Sequence, residues 1–343
     1  MYNITDTDQL KKAVYSTLED ASQFIANVDL TLWQDKINSD MKDFNHIVKA
    51  CMWPKDWFMS QIEYNQVYHG QPDSLTVSDP ALSTGRSADG RFFRESALDS
   101  RANSKLFEFD TGEIIKWSYL MQIMNIGTLR NMGSTLVAAL FNKMFADDMR
   151  IGFCGKSAGG VTDPRINPNG EDVAPGWHEM ARQASQGKQV VDDEVIIGMG
   201  GDFPNVDAAA QYLINTKIPE AYRSDPRLVV LVGHDLAASE RLRLFNTANG
   251  GGDIAAASAW SSTIAGKFAF IPGFMPGKRL CVTMISNLHI NISAGSFRPE
   301  FVMDDEAKIF RASANRYQGY GLTDVNLYAA FDENALEYRS KYQ

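Results

Sequence analysis

The spacing of apolar residues predicts two long helices in the first half of the chain. Within residues 8–28, apolar side chains recur every three or four positions and form one stripe: Leu10, Val14, Leu18, Ala21, Ile25 and Val28. Residues 117–149 continue such a stripe through Trp117, Leu120, Met124, Met132, Leu136, Leu140 and Met144. This spacing is typical of amphipathic helices. A helix over 117–149 would be about 45 Å long, and we call it the spine helix.

Residues 70–112 switch to an alternating pattern. Leu75 and Val77 alternate with polar residues, Phe107 and Phe109 do the same, and the polar stretch "STGRSADGR" lies between them. This pattern predicts an extended, hairpin-like loop. A lone two-stranded ribbon is marginally stable in water, yet this loop carries large apolar side chains. A neighbouring subunit is one candidate for their cover, which makes six residues candidate inter-subunit contacts: Phe92, Phe93, Leu98, Leu106, Phe107 and Phe109.

A βαβα succession over residues 195–246 predicts a small α/β domain. "EVIIG" is a short strand, and the helix after it begins at Asn205, a residue type favoured as an N-cap. "RLVVLVG" is apolar throughout, as in a strand buried on both faces. A second helix follows from His234, and the remainder of the chain is β-rich with a turn at Ser286-Asn287. The predicted fold class is α+β.

Composition narrows the function classes. The chain has 343 residues, of which 44% are hydrophobic, enough for two domains or one large one. Its net charge of −9 argues against a protein that coats nucleic acid. No apolar run is long enough to span a membrane, and no signal peptide is expected at the N-terminus. Cys51, Cys154 and Cys281 are far apart, which predicts reduced thiols without a disulfide or zinc site.

The stretch "RIGFCGKSAGG" at 150–160 resembles the end of a nucleotide-binding P-loop at Gly155-Lys156-Ser157. A P-loop needs a glycine five residues before its second glycine, and Arg150 occupies that position. The stretch also follows a predicted helix, whereas a P-loop follows a strand. We therefore interpret it as a helix C-terminus with Gly152 and Gly155 as caps.

Other candidate chemistry is weaker still. The histidines form no HxxxH or HExxH pair. His234-Asp235 follows an apolar strand, where α/β enzymes often place active groups, but a helix start explains these residues better. Cys154 beside Lys156 could be an activated thiolate, although an ordinary semi-buried cysteine is the simpler interpretation. The doublets Asp147-Asp148, Asp192-Asp193 and Asp304-Asp305 are interpreted as solvated surface. No catalytic, cofactor-binding or metal-binding residue is predicted.

Several segments together resemble the major capsid protein of P-two-like phages (peduoviruses), which has the Hong Kong 97-type fold. They are "RESALDSRANSKLFEFDTGEIIKWSYL", "RINPNGEDVAPGWHEMAR", "IIGMGGDFPNVDAAAQYLINTKIPEAYRSDPRLVVLVGHDLAA" and "GKFAFIPGFMPGKRLCVTMISNLHINI". The resemblance covers about residues 50–332. The sequence departs from the family's pattern in two places. Segment 1–48 matches poorly, and Ala265-Gly266-Lys267-Phe268-Ala269 has no proline, whereas such capsid proteins often carry Gly-Leu-Pro there.

The resemblance implies five regions in the α+β Hong Kong 97-type capsid fold. They are an N-terminal arm (1–69), an extended loop (70–112), a peripheral domain with the spine helix 117–149 (113–194), an α/β axial domain (195–264) and a β-rich return through both domains (265–343). The 246–260 loop would lie near the capsomer axis. Some relatives cross-link a loop lysine to an asparagine, but this loop offers only Lys105 and no cross-link is expected.

The implied function is structural: copies would form pentamers and hexamers of an icosahedral virion shell around double-stranded DNA. The implied partners are other copies, a scaffolding or maturation protease, a portal, and DNA held without specific contacts, with no membrane and no cofactor. Assembly would take place in the host cytoplasm. A same-fold nanocompartment shell and a nucleotide hydrolase using Lys156 remain alternatives.

Overall fold

The computed structural model describes residues 61–68, 74–77, 98–101, 105–119, 132–247, 263–304 and 306–339. The predicted helix at 8–28 and the loop residues Phe92 and Phe93 lie outside these ranges. Within them the fold is α+β, with four sheets and five α-helices. No helix in the described part of the chain combines the length and apolar character needed to cross a membrane.

A five-stranded sheet is built around one long strand, β13 (Ile309–Leu322). Along one edge, residues 309–315 of β13 pair antiparallel with β12 (Arg298–Asp304), and residues 318–322 pair antiparallel with β11 (Leu288–Ser293). Strand β4 (Phe107–Lys116) pairs with residues 309–318 of β13. It must lie along the other edge, because β12 already occupies the first edge at residues 309–315. Strand β1 (Glu63–Val67) runs parallel to β11 and completes the sheet.

A six-stranded mixed sheet forms the second large layer. Its strands, in spatial order, are β5 (Val190–Val191), β14 (Tyr328–Phe331), β10 (Leu280–Met284), β7 (Leu228–Val232), β9 (Lys267–Phe270) and β8 (Thr263–Ile264). Two further pairs stand outside the large sheets. They are β6 (Val195–Gly198) with β15 (Leu336–Arg339), and β2 (Ser74–Val77) with β3 (Leu98–Arg101).

The helices are α1 (Met132–Cys154), α2 (Trp177–Ala184), α3 (Val206–Lys217), α4 (Glu220–Arg223) and α5 (His234–Thr247). Asn205 caps α3 as predicted, because its side chain accepts a hydrogen bond from the Ala208 N–H at 2.8 Å. The predicted turn at Ser286-Asn287 is also confirmed, as a single 3-10 turn between β10 and β11.

The spine helix corresponds to α1, with a corrected end. Residues 117–119 are also helical, and residues 120–131 are not among the residues that the structure describes. Helix α1 ends at Cys154 and not at 149, so Gly152 lies inside the helix and is not a cap. The reason is packing: a Cβ at Gly152 would lie 2.5 Å from the Trp177 ring, so glycine here lets α2 approach α1.

The six-stranded sheet is covered on both faces, which explains the unbroken apolar run of β7. Leu228, Val230 and Val232 pack into one core together with α3. Val229 and Leu231 belong to a second core, which also contains side chains of α1, α2 and the five-stranded sheet. The two sheets therefore share one continuous apolar layer.

One strand has a partner that the sequence did not indicate, and one predicted pairing is wrong. Strand β6 pairs parallel with β15 from the end of the chain and lies outside the sheet that contains β7. The loop ribbon is real, but the strand that returns opposite β2 is β3, with Val77 facing Leu98. Residues 107–116 belong instead to the five-stranded sheet. Apolar alternation marks each strand but does not specify its partner.

The close contact between α1 and α2 supports a stability prediction. A Cβ at Gly176 would lie 2.4 Å from the Gly152 carbonyl oxygen, so Gly176→Ala must push the two helices apart. We expect a loss of about 1–3 kcal/mol in the free energy of unfolding, the usual cost of overpacking. Gly160→Ala is the matched control, since no atom lies within 4 Å of its Cβ position. Equal denaturant midpoints for the two variants would contradict this contact.

Candidate functional site

The candidate inter-subunit residues do not form one site. Phe109 is buried within its own chain, where its ring centroid lies 6.4 Å from that of Tyr320 and 5.4 Å from the guanidinium of Arg316. Phe107 is partly buried against the same core, and Leu106 is half-buried. The prediction that Phe109 needs a neighbour is therefore wrong, because alternate residues of β4 face the interior. Leu98 lies in β3, and its side chain is not in the part of the chain that the structure describes.

Other apolar side chains, which the sequence reasoning missed, are exposed on the opposite face of the five-stranded sheet. Val302, Arg311 and Ile114 share one row across β12, β13 and β4. Ile114 is 65% exposed, and Tyr317 is exposed further along β13. The signal in the sequence is the alternation along β4, which places Ile114 on the same face as the polar residues Glu108 and Asp110.

The loop after α1 is a second exposed surface. Val161 is 90% exposed and Ile166 is 75% exposed. Hydrogen bonds within the loop hold it in shape: the carboxylate of Asp172 accepts from the Asp163 N–H and from the Asn167 side chain, both at 2.9 Å. An ordered loop thus presents apolar side chains to solvent.

The P-loop-like residues do not form a phosphate cradle. The backbone N–H groups of Lys156 and Ser157 both donate to the Glu171 carbonyl, at 2.9 and 3.0 Å, and that of Gly159 donates to the Asp172 carbonyl. The donors that a phosphate would require are therefore already bonded. The stretch follows helix α1 and not a strand, as the sequence indicated.

Asp148 is the centre of a buried polar network, and its assignment to solvated surface is wrong. The side chain is completely buried on α1. Its carboxylate accepts hydrogen bonds from Arg316 at 2.5 Å, Tyr64 at 2.7 Å and Gln318 at 2.9 Å. The neighbouring Asp147 is partly exposed and lies near Lys143 and Arg150.

This Asp148 network joins four elements. Tyr64 comes from β1, Asp148 from α1, and Arg316 from β13, while Arg316 also donates to Thr111 of β4 at 3.0 Å. The Tyr320 hydroxyl donates to the backbone carbonyl of Asp148 at 2.7 Å. A charge pair that is fully removed from water requires such complete hydrogen bonding. The network fixes how the spine helix lies on the five-stranded sheet.

A second buried polar cluster lies where α2 meets the end of β14. The His178 ring nitrogens lie 3.1 Å from the Tyr328 hydroxyl and 3.2 Å from the Asp332 carboxylate, which also pairs with Arg182. Arg279 binds the Glu333 carboxylate at 2.5 Å and the Phe153 carbonyl at the end of α1. This cluster therefore connects the spine helix to the six-stranded sheet.

The ligand atoms of His178, Asp332 and Glu333 lie within 4.8 Å of one another, a spacing that a metal ion could use. Arg182 and Arg279 already neutralise the two carboxylates, however. The nearby guanidinium groups would repel a cation. The donor set therefore fits a buried ion-pair cluster better than a metal centre.

The other residues considered as candidates for chemistry make ordinary structural contacts. Burial raises the pKa of the Cys154 thiol to about 11, and the thiol lies 3.4 Å from the Phe274 carbonyl, so it is not an activated thiolate. His234 and Asp235 are exposed at the start of α5, 3.1 Å apart. Asp192 pairs with Arg182, and Asp304 with Arg311.

Two buried histidines predict acid sensitivity. Burial, assisted by the Arg279 charge, lowers the pKa of His178 from 6.5 to about 4, and burial lowers that of His289 to about 4. Both rings are neutral in the folded chain at pH 7, and the unfolded chain takes up their protons first as pH falls. Stability is therefore lost between pH 6.5 and 4, by on the order of 3 kcal/mol per histidine.

Unfolding titrations between pH 7 and 4 check this expectation. His178→Gln should reduce the pH dependence, whereas His234→Gln, at an exposed ring, is the control. A flat stability profile down to pH 4.5 would contradict the neutral buried histidines.

The comparison with protein-family models and the comparison with curated proteins both find phage capsid proteins. The model for phage major capsid proteins of the P2 family matches residues 38–334. "Capsid proteins" of Escherichia phage P2 are 28% identical over an alignment of 185 residues, which covers 50% of this chain and 51% of the relative. The match thus spans about half the length of that curated relative.

A solved structure shows the same fold. A chain of the satellite phage P4 procapsid including size determination (Sid) protein has a TM-score of 0.68 at 18% identity, covering 87% of this chain and 100% of that one. A weaker match is the holo-SrpI encapsulin complex from Synechococcus elongatus, with a TM-score of 0.44 at 10% identity, covering 83% and 89%.

Proposed function

Because the chain belongs to the P2 family of phage major capsid proteins, we propose that its copies assemble into a closed icosahedral shell. Pentamers and hexamers of this chain would enclose double-stranded DNA in the virion. A scaffolding or maturation protease and a portal would act during assembly in the host cytoplasm. The net charge of −9 suits a container that encloses DNA without binding it tightly.

The two large sheets correspond in this proposal to the two domains of the Hong Kong 97-type fold. The five-stranded sheet with α1 is the peripheral domain, and the six-stranded sheet with α3 and α5 is the axial domain. The Asp148 network and the Arg279–Glu333 cluster hold the spine helix to both sheets. Each subunit would then act as a nearly rigid plate, as a shell with regular contacts requires.

The ribbon of β2 and β3 is the observation that carries the proposal. Among the described residues it forms a sheet of its own and pairs with neither large sheet. An isolated ribbon is marginal in water, and the twenty residues between its strands include Phe92 and Phe93. A neighbouring subunit would supply the missing cover. Obligate interfaces of this kind bury roughly 2,000 Å² or more.

Sedimentation and negative-stain microscopy of the purified chain test the proposal. Closed shells or capsomer rings are expected. A discrete monomer or dimer at high concentration would overturn it. A nanocompartment shell would look similar, and its packaged contents would distinguish it, since it would hold protein cargo. The hydrolase alternative ends if nucleotide binding is absent or is unchanged by Lys156→Ala.

A further inference from the structure

A groove of about 890 Å³ lies where the two large sheets meet, and we call it the junction groove. Its apolar lining comes from both sheets and the turn between β10 and β11: Val229, Phe268, Phe270, Ile285 and Leu288. Its volume is within the range of sites that bury a sizeable ligand. Phe268 is 60% exposed on β9 despite its apolar surroundings. The groove is therefore an apolar surface of the folded domains that a further apolar segment could cover.

The chain itself arrives at this groove. Gln61, the first described residue, lines it, as do Glu63 and Asn65 on β1. The residues immediately before are "CMWPKDWFMS", and five of the nine residues at 51–59 are large and apolar: Met52, Trp53, Trp57, Phe58 and Met59. A segment of this composition would expose several hundred Å² of apolar surface if it were solvated.

We propose that residues 51–60 of the same chain fill the junction groove. Ten residues span at most about 35 Å when extended, so the segment is tethered beside the groove and reaches it at little entropic cost. Pro54 disfavours a helix for the residue before it, which suits an extended segment laid along a groove.

The consequence is an anchored N-terminal arm. Residues before 51 would leave the groove from a fixed point, and the aromatic segment would clamp β1 of the five-stranded sheet to β9 of the six-stranded sheet. This inference does not depend on shell assembly, because a single subunit contains both the groove and its occupant.

Cysteine cross-linking of the full-length chain tests the proposal, using native Cys51 and Phe268→Cys. Phe268 is largely exposed, so the change spares the core. Cys154 and Cys281 are buried and do not compete. The tether alone gives a local thiol concentration in the millimolar range, and a segment held in the groove should form the disulfide at least about tenfold faster than an unseated one.

Tyr68→Cys is the matched control, because Tyr68 is 60% exposed like Phe268, follows β1 within reach of an unseated segment and does not line the groove. An intrachain disulfide between Cys51 and the thiol introduced by Phe268→Cys, with little product from Tyr68→Cys, supports the proposal. Equal rates for the two variants, or no cross-link in a folded Phe268→Cys protein, overturns it. Cross-linking only between labelled and unlabelled subunits would show that a second copy fills the groove, which also overturns it.

Discussion

Asp148→Ala should destabilise the subunit by about 3–5 kcal/mol, the typical cost of removing one partner from a buried ion pair. The change leaves the fully buried Arg316 guanidinium without its carboxylate, and the hydroxyl of Tyr64 without its acceptor. Because domains are stable by only about 5–15 kcal/mol, much of the protein should become insoluble or protease-sensitive. Denaturant unfolding measures the loss in the free energy of unfolding, with the variant and the parent protein compared in the same assembly state.

The adjacent Asp147→Ala is a matched control for this result. It removes the same chemical group from the same helix, but at a partly exposed position with two long ion pairs of 3.7 and 3.9 Å. Such pairs contribute about 0–1 kcal/mol. A similar loss of stability from both variants would show that the network around Asp148 does not hold the spine helix in place.

Replacing Phe92 and Phe93 together by serine should abolish shell formation while leaving the subunit folded. Each buried phenylalanine contributes about 1.5–3 kcal/mol, and the loss is repeated at every loop contact of the shell. Sedimentation should show small oligomers where the parent protein gives shells. Circular dichroism should be unchanged, because the ribbon pairs with neither large sheet in the described part of the chain.

The conservative pair Phe92→Leu and Phe93→Leu separates apolar burial from other effects of the loop sequence. It keeps most of the apolar surface and should still assemble, at a higher protein concentration. Shells formed equally well by the serine variant would mean that these two side chains are not covered by a neighbour.

Local features of the fold could be predicted from the sequence because they depend on nearby residues. The stripe at Leu140 and Met144 is buried as its spacing indicated. The cap at Asn205 and the all-apolar strand β7 follow from short-range chemistry in the same way. The resemblance to the capsid family was likewise carried by contiguous segments.

Long-range features could not be predicted. Asp148 looks like half of an exposed acidic doublet until Arg316, 168 residues later, is placed beside it. The pairing of β6 with the end of the chain and the membership of Phe109 in the core depend on topology, which alternation does not encode. The tight contact at Gly176 depends on how α1 and α2 pack.

Imaging of the assembled particle by cryo-electron microscopy tests the central claim most directly, because it traces residues 78–97 between the two ribbon strands. We expect this segment to lie on an adjacent subunit, with Phe92 and Phe93 in contact with that subunit's surface. If the segment instead folds back over its own two sheets and buries both phenylalanines there, the physical basis for assembly through this loop is gone.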